Sequence, residues 1–284
     1  MLENLLEISG LCKEYSDFAL RGIDLTVRPG RIVGLIGENG AGKTTTLKAA
    51  LNIIKPSAGR IRLMGGEPSD GQARASVAAV FEDGFFYEGF HLLQVEKVMS
   101  GLGDMWDREQ FFKDCDRYGL PRKKPIKEMS RGMRIKLNLA VAMARHPKLL
   151  ILDEATSGLD PVVRGELLNV FMEFIQDESH SVLISSHITD DLERVADEIA
   201  YIHQGRLLFQ RDKDELMENM AVLRCSEEDM RQLPGRLIRA TVKNAFGSAA
   251  LVEEPETVRG ILPGVVIDRL TLSEMMQIYS GRKE

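Results

Sequence analysis

Cysteine is scarce in this chain of 284 residues, and long apolar runs are missing. The three cysteines, Cys12, Cys115 and Cys225, are isolated, odd in number and free of any C-x-x-C spacing. That excludes a disulfide framework and a zinc site, and it fits thiols serving as small core fillers in a reducing compartment. No uninterrupted apolar stretch approaches the roughly 18 to 20 residues needed to span a bilayer. The start, Met1-Leu2-Glu3-Asn4, lacks the basic region and apolar core of a signal peptide. If the protein serves a membrane process, its membrane part is expected on another chain. Basic charge is also short, with 37 Lys and Arg against 43 Asp and Glu and a net charge of −6. No nucleic-acid partner is expected from that balance. The one short basic run, Arg122-Lys123-Lys124 with Lys127, reads as a solvated loop.

What is present is organised around one stretch. The apolar run from Ile32 to Ile36 leads into Gly37-Glu38-Asn39-Gly40-Ala41-Gly42-Lys43-Thr44-Thr45 and then into the helix former Thr46-Leu47-Lys48-Ala49-Ala50. Strand, loop and helix follow one another, and the loop spells G-x-x-x-x-G-K-T. Polyphosphate needs many donors with no side chain in the way. The glycines let the backbone wrap it, and the helix start offers free N–H groups and partial positive charge. Lys43 supplies a full charge, and the Thr44 hydroxyl can ligate Mg2+. The bland alternative is a glycine-rich turn before a helix.

Taken in order, residues 3–9 and 23–28 predict short strands, with Tyr15 in the loop between them. Tyr15 reads equally as a half-buried loop aromatic or as a flat ring stacking on a base. A turn and strand span 55–63, and a strand spans 77–81, ending abruptly in Glu82-Asp83-Gly84. Residues 88–128 carry helical patterning, with Trp106 as packing, and form a helical insertion in an α/β core. Ser130 is a fair N-cap for the helix that follows, which ends before Pro147. Residues 148–152 form a buried strand ending in Asp153-Glu154, where open α/β sheets bind ligands. An acid pair capping a helix is the alternative. A helix over 162–178, a strand over 181–186 ending in His187, a helix over 189–196 and a hairpin over 199–210 close the core. Lone histidines are mostly structural, but His187 shares the sheet edge with the acid pair. Beyond 211 the texture changes: strands over 237–243 and 265–269 and helices over 213–220 and 273–279 predict a small α+β appendage.

This order of motifs resembles the ATPase subunit of ATP-binding cassette transporters over about residues 3–210. The resemblance implies an α/β P-loop NTPase core with an antiparallel β subdomain, a helical insertion over about 88–135 and the appendage. Residues 1–211 would be the cassette and 212–284 the appendage. ATP and Mg2+ are the implied ligands. Residues 37–45 would bind the phosphates, Thr44 and Asp153 would hold Mg2+, and Tyr15 would stack on adenine. Glu154 would polarise the attacking water, with His187 keeping it aligned and touching the γ-phosphate. Ser130-Arg131-Gly132-Met133 corresponds to the family signature, which completes the site of an opposite subunit, and Asp160 would lie at that boundary. The implied partners are a second ATPase subunit, identical or related, and a transmembrane permease on a separate chain. That places the chain on the cytoplasmic face of the cell membrane, held there by the permease.

Two departures stand out. The signature has Arg131 and Met133 where many members have glycine and glutamine, a form similar to drug, antimicrobial-peptide and bacitracin-type exporters. After strand 77–81 the family keeps a metal-touching glutamine, whereas this chain has Glu82-Asp83, and Glu82 is the candidate to take its place. A soluble cassette acting on DNA or ribosomes, and an ATP-dependent dimerisation switch, are the other readings.

Overall fold

The computed structural model describes residues 3–81, 85–103, 105–244 and 247–281. In chain order it runs β1 (Leu6–Glu14), β2 (Ala19–Val27), β3 (Ile32–Ile36), α1 (Lys43–Ala50), β4 (Ala58–Leu63), α2 (Gly71–Ala75) and β5 (Val77–Val80). Next come α3 (Leu92–Ser100), α4 (Arg108–Arg117), α5 (Arg131–Met143), β6 (Leu149–Asp153), α6 (Pro161–Phe174), β7 (Ser181–Ser186) and α7 (Thr189–Val195). The chain continues with β8 (Glu198–His203), β9 (Arg206–Asp212), α8 (Lys213–Asn219), β10 (Met220–Cys225) and α9 (Glu227–Gln232). It closes with β11 (Ile238–Asn244), β12 (Gly247–Glu253), α10 (Pro255–Ile261), β13 (Val266–Arg269) and α11 (Leu272–Ser280).

Three strands, β3, β6 and β7, are buried along their whole length, in keeping with the apolar runs over residues 32–36, 149–152 and 182–184 that they carry. They form the centre of a six-stranded sheet of order β5-β6-β7-β3-β8-β9, parallel except for β9, which returns antiparallel beside β8. Strand β3 sits where the chain order reverses, so its carboxyl end opens at the crevice where such sheets take ligands. A second, antiparallel sheet of order β2-β1-β4 covers α1. Leu47 of α1 is buried in one cluster with Leu6 and Leu25 of that sheet and Val33 and Leu35 of β3. The phosphate-loop helix is therefore wedged between two sheets.

The helical insertion has a core of its own, formed by Leu92, Phe111, Cys115, Met129 and Leu137. Trp106 packs there as expected, its ring centroid 5.1 Å from that of Phe111. The appendage is a four-stranded antiparallel sheet of order β11-β12-β10-β13. One face packs Leu223 and Val252 against Val258 of α10. The other packs Val222 and Leu251 with Met275 and Ile278 of α11, in one cluster with Ile199 and Tyr201 of the large sheet. No linker intervenes: Asp212 ends β9 and caps α8, accepting from the N–H groups of Asp214 and Glu215.

Some elements depart from the sequence reading. Helix α6 stops at Phe174 instead of running to 178, because the Asp177 carboxylate accepts from the Ser179 N–H and hydroxyl and makes a local turn. Strands β10 and β12 went unread. Ser248-Ala249-Ala250 in β12 has little intrinsic strand preference and is a strand because its neighbours pair with it.

Candidate functional site

The loop after β3 is shaped by close packing. An added Cβ at Gly42, whose φ is +113°, would lie 2.5 Å from Leu20 and 2.9 Å from Phe18. At Gly37 it would strike the carbonyl oxygen of Ile202. Gly42 also caps α1 with no side chain to bond its first turn, and no acid occupies that turn. The leading N–H groups of α1 are left for an anion. Lys43 is buried to 6% exposure, and its ammonium donates to the carbonyls of Gly37 (2.7 Å) and Glu38 (3.2 Å). It also lies 3.3 Å from Glu154 Oε1.

Strand register supplies the acids. Parallel pairing sets Asp153 beside Ser185 and Ile36 beside Ser186, so three strand ends meet in one place. The Ser185 hydroxyl donates to Asp153 Oδ1 at 2.6 Å and accepts from the Glu154 N–H at 3.1 Å. The other oxygen of Asp153 takes the Thr44 hydroxyl at 2.8 Å. Glu154 sits in the left-handed region at φ +52°, strained for a side chain of its size by about 1–3 kcal/mol. Its N–H also reaches the Ser185 carbonyl at 3.2 Å, which helps hold that turn. The Glu154 carboxylate lies between two donors, with Oε1 toward Lys43 and Oε2 at 2.6 Å from His187 Nδ1. A carboxylate only accepts, so Nδ1 carries the shared proton and Nε2 is the free ring nitrogen.

These groups open on a cleft of about 690 Å³. Of the sequence candidates, Glu38, Asn39, Gly40, Gly42, Lys43, Thr44, Thr45, Glu154 and His187 line it. Gly37, Ala41 and Asp153 lie behind them; Ala41 is buried, its carbonyl accepting from the Gly205 N–H. Tyr15 stands apart from the lining, 48% exposed, with the Lys13 ammonium 5.5 Å from its ring centroid. Phe18 is the aromatic that lines the cleft. Glu82 lies outside the described residues.

The remaining candidates are gathered elsewhere in the chain. Ser130, Gly132, Met133 and Asp160 are absent from the cleft's lining. Ser130 is the N-cap of α5, its hydroxyl accepting from the Met133 N–H at 3.2 Å, and Met133 packs into the helical insertion. Asp160 caps α6, accepting from the N–H groups of Val162 and Val163 at 3.1 Å each. Gly132 lies flush against α6, where an added Cβ would be 2.9 Å from Val163 Cγ1. Ser185, Phe18 and His203 escaped the sequence reading. For Ser185 the signal was a hydroxyl near the end of an otherwise apolar strand, meaningful only once its register against Asp153 is known.

A glycine-rich loop at the switch point of a parallel sheet, with an acid pair and a histidine on the adjoining strand ends, defines a P-loop nucleotide-binding protein. Residues 20–157 match the ABC transporter family. The chain is 31% identical over 213 residues to the lantibiotic transport ATP-binding protein SrtF of Streptococcus pyogenes, covering 74% of this chain and 92% of that protein. It is 30% identical over 221 residues to the bacitracin transport ATP-binding protein BcrA of Enterococcus faecalis, covering 76% of this chain and 72% of that one. Among solved structures it resembles cbiO1 of Clostridium perfringens, part of the ABC transporter complex cbiONQ. That match has a TM-score of 0.65 and 27% identity, covering 76% of this chain and 91% of that one. The chain belongs to the ABC transporter family, and it is one of that family's ATP-binding ATPases. The resemblance carried by the loop, the signature and the acid pair is thereby borne out. No helix among the described residues is long and apolar enough to cross a membrane.

Proposed function

We propose that the chain is the energy-coupling subunit of a membrane exporter, with residues 1–211 as its cassette and 212–284 as an appendage to it. The observation that carries this reading is the Glu154 carboxylate, bonded between Lys43 and His187 at the mouth of the phosphate loop. Glu154 polarises the attacking water, and Lys43 offsets charge on the transferring phosphoryl group. His187 fixes Glu154 through Nδ1 and reaches the γ-phosphate through Nε2; serving both acceptors requires a proton on each ring nitrogen.

Thr44 and Asp153 are hard oxygen donors already 2.8 Å apart, a pairing that suits Mg2+. No cluster of three His, Cys, Asp or Glu among the described residues could hold a metal unaided. The ion is therefore expected to arrive with the nucleotide, whose phosphates supply further ligands, and to lower the cost of charge on them. Ser185 keeps Asp153 turned toward Thr44, and Glu82 is a further candidate ligand.

The signature and the loop belong to different places on one chain, which supports a head-to-tail pair. Ser130, Gly132, Met133 and Asp160 of one subunit would then complete the site around Lys43 of the other. An apolar groove of about 350 Å³ between α3, α5 and β5 supports docking of a permease. Phe85, Tyr87 and Leu102 line it at 64%, 72% and 73% exposure, an exposed apolar patch of the kind that marks an interaction site. The relatives named for lantibiotic and bacitracin transport favour an exporter over a soluble cassette. Recovery of the tagged chain from solubilised membranes with a multi-spanning protein, and its loss on Phe85→Ser with Leu102→Ser, is the expected result. A chain that never co-purifies with a membrane protein would overturn the transporter reading.

A further inference from the structure

Glu38, the second residue of the phosphate loop, is held from outside the loop. His203 Nδ1, at the end of β8, lies 3.2 Å from each of its carboxylate oxygens. The hydroxyl of Ser280, the last residue of α11, bonds Glu38 Oε1 across a separation of 242 residues. Ser280 also lies 2.6 Å from the carbonyl of Met276 in its own helix. Both neighbours only accept, and a serine has one proton, so the hydroxyl serves either its helix or the loop.

The end of α11 is well fixed. Leu272 and Met275 are fully buried, and the Leu272 N–H donates to Glu193 Oε1 at 2.6 Å. The Tyr279 ring packs 5.1 Å from that of Tyr201 on β8. Tyr201 is itself fully buried, with the Ser280 hydroxyl and Glu38 both near its own hydroxyl. Glu38 thus bonds two groups, the His203 imidazole from the sheet and the Ser280 hydroxyl from the appendage. A carboxylate in a loop that binds polyphosphate is an unfavourable charge unless it is fixed. Serine and histidine bonds restrain where that charge sits.

We infer that Ser280 and His203 are positioning residues for the phosphate loop, and that the appendage sets the loop's affinity for nucleotide by holding Glu38. The inference rests on residues 37–45 being the nucleotide site. It requires no contact between Ser280 and the reacting atoms, so it acts on binding and leaves the chemical step to Glu154 and His187.

The test measures ATP dissociation constants, KM and kcat for the full chain and for Ser280→Ala, Ser280→Thr, Glu38→Ala and the Ser280→Ala/Glu38→Ala pair. Ser280→Ala is expected to weaken ATP binding and raise KM about three- to tenfold, the net range of one ordinary hydrogen bond. Its kcat at saturation should stay within about twofold. Threonine, which keeps the hydroxyl, should restore wild-type binding. With alanine at position 38, which leaves Ser280 no side-chain oxygen there to bond, the Ser280→Ala change should have no further effect, since partners in one contact do not add. Unchanged affinity in Ser280→Ala, a fall in kcat with KM constant, or an equal effect in the Glu38→Ala background would overturn the inference. A wild-type chain that binds no ATP would instead overturn the assignment of the loop.

Discussion

His187 Nδ1 lies 2.6 Å from Glu154 Oε2, so the histidine and the acid act as one unit. Glutamine at position 154 would keep an oxygen for Lys43 but lose the charge proposed to polarise water. Turnover of Glu154→Gln is expected to fall by about 100-fold or more, with ATP affinity retained. His187→Ala should fall by a similar order, and the double variant should be little worse than either, as groups acting together are not additive. Steady-state phosphate release checks this, and a Glu154→Gln enzyme at the wild-type rate would remove Glu154 from the chemistry.

Ser185→Ala takes one partner from Asp153 and one from the Glu154 N–H, both at a buried strand end. The cost to folding is expected to be about 1–3 kcal/mol, seen as a lower midpoint in urea. Turnover should drop as well, because the left-handed turn at Glu154 keeps only its bond to the Ser185 carbonyl. Unfolding at the wild-type midpoint would show that the hydroxyl holds nothing.

Gly132→Ala places a methyl group 2.9 Å from Val163 Cγ1. Overpacking of this kind costs about 1–3 kcal/mol, and Val163→Ala in the same chain should return most of it. Thermal denaturation of the single and double variants measures both terms. Restored stability with lost turnover would mean that Gly132 also serves a nucleotide; restored turnover would make it a packing residue alone.

The thiols should differ in reactivity. Burial pushes the Cys115 thiol up to about 12, with Asp114 and Asp116 adding to the shift, and no part of the residue is exposed. Cys12 and Cys225 are partly exposed. A thiol reagent at neutral pH is expected to modify Cys12 and Cys225 and to reach Cys115 only on unfolding, since the thiolate is the reactive form. Mass spectrometry of the labelled protein decides it, and rapid labelling of Cys115 would mean that the helical insertion opens in the folded chain.

Local features were readable in advance where one segment carried the whole signal. The strands β3, β6 and β7 each carry an apolar run, and each leads to a candidate site residue: Gly37, Asp153 or His187. Lys43, Thr44 and Glu154 followed from the same stretches. Ser185 did not, because its meaning lies in register with a strand 32 residues away. The bond from Ser280 to Glu38 was out of reach for the same reason, on a far longer scale. Helix α6 ran short because Asp177 offers a turn that apolar periodicity does not weigh. Tyr15 was judged by its place in the chain order, whereas Phe18, three residues on, is the ring that lines the cleft.

Val222, Leu251, Met275 and Ile278 share one buried cluster with Ile199 and Tyr201, so the chain's final strands and helix roof part of the sheet that carries the site. A stop codon or a protease cut after Asp212 would leave that roof missing and a broad apolar surface in water. Truncations of the gene anywhere in this region are therefore expected to behave as complete loss of function, through aggregation and clearance. None should yield a smaller working ATPase, even though every motif that touches nucleotide would still be encoded.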